Sequence, residues 1–81
     1  MKDVIMDRLK AKNWTIQKCA KEMDLSYIIH TTNPSNVLHE IHIKESSEDF
    51  HADILIENHI RLDYLCRDLT TLEELYWVLK I

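Results

Sequence analysis

The sequence predicts an α+β domain: two short N-terminal helices, a three- or four-stranded antiparallel meander and a C-terminal helix. Three observations carry this. Apolar residues recur at helical spacing before residue 24, they alternate with polar ones between residues 37 and 66, and helical spacing returns after residue 70. The 81 residues form one domain, 1–81, with 46% apolar and 30% charged side chains, a balance that suits a folded chain rather than a disordered one.

Residues 3–12 read as a helix with Val4, Ile5 and Leu9 inward, stopped by Asn13. In residues 16–23, Ile16, Cys19, Ala20 and Met23 stand at i, i+3, i+4 and i+7, the stripe of a second helix. Thr15 is a suitable N-cap for it, and Trp14 is placed to close over Cys19 as a hydrophobic staple. Residues 27–31 are β-rich, and Asn33, Pro34, Ser35 and Asn36 make a turn. Val37, His39, Ile41 and Ile43 then alternate with Leu38, Glu40, His42 and Lys44. After a polar loop at 45–49, Phe50, Ala52, Ile54 and Ile56 do the same, and after residues 57–59 so do Ile60, Leu62, Tyr64 and Cys66. A three-residue loop at 57–59 would pair Ile56 with Ile60 and Asp53 with Asp63. The last helix covers 71–80, with Thr70 and Glu73 as a capping box and Leu72, Leu75, Tyr76 and Leu79 inward. The helices are expected to cover one sheet face.

The chain has no glycine, so its turns fall to Asn, Asp, Ser and Pro; Asn13, Asn33, Asn36 and Asn58 are the expected turn residues. Net charge is −4 and unevenly spread. Residues 1–23 hold six basic against three acidic side chains (+3), and residues 24–81 four against eleven (−7). An acidic segment repels nucleic acid and attracts a basic surface. No apolar run is long enough to span a bilayer, and acids interrupt the N-terminal apolar stretch, which argues against a secretory signal. Cys19 and Cys66 fit reduced core thiols in a cytoplasmic chain, with a single disulfide as the alternative.

His42, Asp53 and Asp63, with Glu40 and His51 near, are expected side by side on the outer sheet face, where imidazoles and carboxylates can take a divalent metal. Their spacing matches no metal motif, and a solvated charged face is much the better account of them; no metal or other cofactor is expected. Asp53 and Asp63 on an open face lack the cleft that acid–base catalysis needs. Both cysteines lie on core stripes, where thiols are inert packing, so no enzyme activity is expected.

Thr15, Ala20, Leu25, Ser26 and Ile29 resemble the helix-turn-helix pattern over about 17 residues. That resemblance implies a DNA-binding regulator using residues 15–33, with Lys10, Lys12, Lys18 and Lys21 against phosphates. The sequence departs from the pattern: Asp24 stands where the turn usually has glycine, and residues 27–33 are brief, meet Pro34 and lack Arg and Lys.

On the last helix Trp77 points roughly 150° away from the centre of the inward stripe, the position of an exposed hot spot. Leu38, Leu55 and Leu65 fall among the acids of the outer sheet face. The function expected is therefore a small non-enzymatic protein-interaction module. Its partner would be a protein with a basic surface, bound through Glu40, Asp53, Glu57, Asp63 and Trp77. One version is a phage or mobile-element inhibitor that occupies a nucleic-acid channel of a host protein. A self-associating structural protein, a homodimer burying the last helix or the outer sheet face, is the further alternative.

Overall fold

A computed structural model describes residues 1–23, 25–45, 49–58 and 61–81. Among these, the order is helix α1 (Lys2–Ala11), strands β1 (Thr15–Lys21), β2 (Ser26–Thr32), β3 (Leu38–Glu45), β4 (Phe50–Asn58) and β5 (Arg61–Leu69), then helix α2 (Leu72–Leu79). The strands form one antiparallel sheet in the order β1-β2-β3-β4-β5, each paired with its sequence neighbour. No described helix is long and apolar enough to cross a membrane.

The class is α+β, but the expected element count needs correction: one N-terminal helix instead of two, and five strands instead of three or four. Residues 15–21, expected as a helix, are an edge strand. The reason is a bulge. Ile16 pairs with Thr31 and Lys18 with His30, leaving Gln17 unmatched. Inward residues of a regular strand fall at i and i+2; the extra residue moves the second to Cys19, at i+3. A bulged strand thus imitates the start of a helical stripe. Ala20 pairs with Ile28 on the outer face, where a helix would have turned it inward. The helix-turn-helix expected over 15–33 needs two helices where the chain makes β1 and β2, so that arrangement is not formed; Asp24 lies outside the described residues.

Both helices lie on one face of the sheet. Ile5 and Leu9 of α1 and Leu75 and Leu79 of α2 share a core with Ile29, Ile41, Ile43, Ala52, Ile54 and Leu69. Val4, expected inward, is exposed. Trp14 does not staple a helix; it is buried at the sheet's end, edge-on to the His39 ring at 4.8 Å. Asn13 ends α1 as anticipated, at φ 68°, and the Trp14 N–H returns to the Leu9 carbonyl, which draws the indole under the helix. The capping box of α2 is one residue later than expected: the Thr71 hydroxyl accepts from the Glu74 N–H, and the Glu74 carboxylate accepts from the Thr71 and Thr70 hydroxyls.

The β4–β5 register also differs from expectation. Asn58 pairs with Arg61, which sets Ile56 opposite Asp63, not Ile60; Ile60 and His59 lie outside the described residues. Leu62 and Tyr64, expected inward, pair with Glu57 and Leu55 on the outer face. Two irregularities in β5 then restore the phase, so that Cys66 meets Ile54 and Leu69 meets Ala52 in the core. Asp68 sits at the second of them with φ 54°.

Candidate protein-interaction face

Neither helix covers the outer face of the sheet. Its centre is Glu40 on β3, which pairs with His30 on β2 and Leu55 on β4. His42, two residues on, lies on the same face and pairs with Ile28 and Asp53. One Glu40 carboxylate oxygen is 3.8 Å from His30 Nδ1 and 3.7 Å from His42 Nε2. Those distances exceed a hydrogen bond. His42 Nε2 is buried and has no hydrogen-bond partner among the described residues.

The other acids expected to bind a partner are in different circumstances. Asp53 lies beside His42, and its carboxylate accepts from the Asp68 N–H at 2.9 Å, which holds the β5 bulge. Glu57 is exposed on the outer face next to Leu62. Asp63 is not there. Paired with Ile56, it stands at the end of the helix-covered face, where it accepts from Asn58 Nδ2 at 3.2 Å and lies 3.3 Å from the Arg61 guanidinium. The expected His42, Asp53, Asp63 cluster is therefore split by the β4–β5 register. No group of three or more His, Cys, Asp or Glu among the described residues converges to hold a metal.

Trp77 is 82% exposed, but on α2, on the opposite side of the sheet from Glu40, Asp53 and Glu57. The five expected contact residues thus fall on two faces and one end. The cysteines are free and sit on opposite edge strands, four strand spacings or roughly 19 Å apart, too far for a disulfide. Cys19 is inward beneath α1, and burial pushes its thiol above the ordinary range.

The outer face bears Ile28, Leu38, Leu55, Leu62 and Tyr64 among its charges. The Arg67 guanidinium lies 3.7 Å from the centre of the Tyr64 ring. At the β1–β2 turn the face dips into a groove of about 630 Å³ between Ile28, His42, Lys44, His51, Asp53 and Asp68. His42, His51 and Asp53 can be placed on one face from alternation alone. Asp68 arrives through the bulge, for which the sequence carries no signal. Compared with protein-family models, curated proteins and solved structures, the chain matches none.

Proposed function

We propose that this chain is a non-enzymatic protein-binding module whose uncovered sheet face docks a protein with a basic, partly apolar surface. The observation that supports it is the composition of that face: Ile28, Leu38, Leu55, Leu62 and Tyr64 stand side by side with Glu40, Asp53 and Glu57, while its lysines, Lys18 and Lys44, lie toward the β1 side and the β1–β2 end. Apolar side chains supply contact area, and carboxylates among them select a positive partner. The net charge of −4 favours the same encounter.

The inhibitor of phage or mobile-element origin is a narrower version. It needs carboxylates free to stand in for phosphates. Glu57 offers that, whereas Glu40 lies between two imidazoles, Asp53 holds a bulge and Asp63 bonds Asn58. The broader reading is therefore the better supported.

The test is retention of proteins from the source cells on the immobilised chain, at low and then moderate salt. A basic protein should be held, released as salt rises, lost with the double substitution Leu55→Lys and Glu57→Lys, and kept by Lys10→Glu on α1. No retained protein, or one indifferent to the two face substitutions, would overturn the proposal.

A further inference from the structure

Glu73 and Trp77 stand at i and i+4 on the side of α2 away from Leu75 and Leu79, and Lys80, the left-handed residue that caps the helix, extends that stripe just past its end. All three line a groove of about 700 Å³, with Arg8, Tyr76 and Ile81 as its floor and wall. The wall is held in place: the Arg8 guanidinium lies 5.0 Å from the Tyr76 ring, and its Nε donates to the Ile81 carbonyl at 2.6 Å. Neither Glu73 nor Lys80 forms an ion pair with a described residue.

The stripe is complementary to itself. Its acid is at one end, its base at the other and its indole between them. Turned through a two-fold axis beside Trp77, an antiparallel copy brings Glu73 of each chain to Lys80 of the other. The two charges stand about 10 Å apart along the helix, from the rise per residue, so both pairs form together. The two indoles meet at the axis and fill the grooves beside it. A parallel copy would set Glu73 against Glu73 instead.

We infer that α2 is the contact of a two-fold dimer, in which Trp77 is the buried anchor and two Glu73–Lys80 pairs set the antiparallel direction. This dimer uses the helix layer and leaves the sheet face of the proposed function open, so the two ideas stand or fall separately. A contact centred on one eight-residue helix is small beside the roughly 800 Å² per partner of a standard interface, so the dimer is a weak one.

Sedimentation equilibrium of the purified chain in low salt tests this. The mass should rise from 9.7 kDa toward twice that value with concentration. Trp77→Ala, at an exposed position, should weaken association at least tenfold without unfolding the chain. Glu73→Lys and Lys80→Glu should each weaken it about fivefold on their own, since each sets like charges opposite one another. Mixed in equal amounts, those two variants should recover association, because both pairs are then opposite in sign. A monomer at every concentration up to about 1 mM, a dimer indifferent to Trp77→Ala, or a mixture no stronger than its components would each overturn the inference.

Discussion

His39 shows how one buried side chain ties stability to pH. Its ring lies under Trp14, and Nδ1 sits 3.0 Å from the Val37 carbonyl. Burial holds the imidazole below the ordinary histidine range, and the carbonyl only partly opposes that. The unfolded chain therefore takes up a proton near pH 6.5 that the folded chain refuses. Above that pH His39 costs nothing; as pH falls through the unfolded value toward the lowered folded one, stability is lost. In urea titrations followed by tryptophan emission, His39→Gln should flatten the fall between pH 7.5 and 5, even if it lowers stability at pH 7.5. Backbone conformation is a second residue-scale matter. Asn13 and Asn36 adopt positive φ, and the Asn33 side chain accepts from the Ser35 and Val37 N–H groups; all three were legible because a chain without glycine must turn on asparagine. Leu25, Asp68 and Lys80 adopt positive φ too. They were not legible, because turn closure, a bulge and a helix end force them there against their own preference. Leu25→Gly should remove that strain and raise stability by about 1 kcal/mol in the same titration.

Elements were legible where local period and tertiary role agree. In β3 and β4 the alternating residues are the ones the core buries, from His39, Ile41 and Ile43 to Ala52 and Ile54. In β1 and β5 they diverge, because a bulge changes which residue faces inward without changing composition. Gln17 turned a strand into an apparent helix, and the Asn58–Arg61 register, offset again by the shifts after Tyr64, put Leu62, Tyr64 and Asp63 on faces that simple alternation does not give. The candidate site suffered with them: Glu40, His42 and Asp53 were correctly grouped, whereas Asp63 was not. Asp53→Ala would remove the acceptor for the Asp68 N–H and should cost about 1 kcal/mol, by loosening β5. Thr71→Ala would free the Glu74 N–H at the start of α2 and should also cost about 1 kcal/mol. Thermal melts of the two variants check both values.

The whole molecule is a two-layer structure with unlike surfaces. Helix α1, the first strand and the turn between them carry six of the ten basic side chains, Lys2, Arg8, Lys10, Lys12, Lys18 and Lys21, while the sequence after them, α2 included, is acidic. A layered α+β arrangement with the helices on one side was legible from the change of period. The split of contact residues between two faces was not, since it depends on register. The plain β1-to-β5 order has a kinetic consequence. Every strand closes against the one made just before it, so little loop entropy opposes the sheet's assembly. The contacts that wait longest are those between the two helices, such as Arg8 to the Ile81 carbonyl, 73 positions apart. The sheet should accordingly form first around Ile41 and Ile54, and the two helices should lock together last. Stopped-flow refolding would then slow with Ile41→Val, while Arg8→Gln would leave refolding unchanged and quicken unfolding.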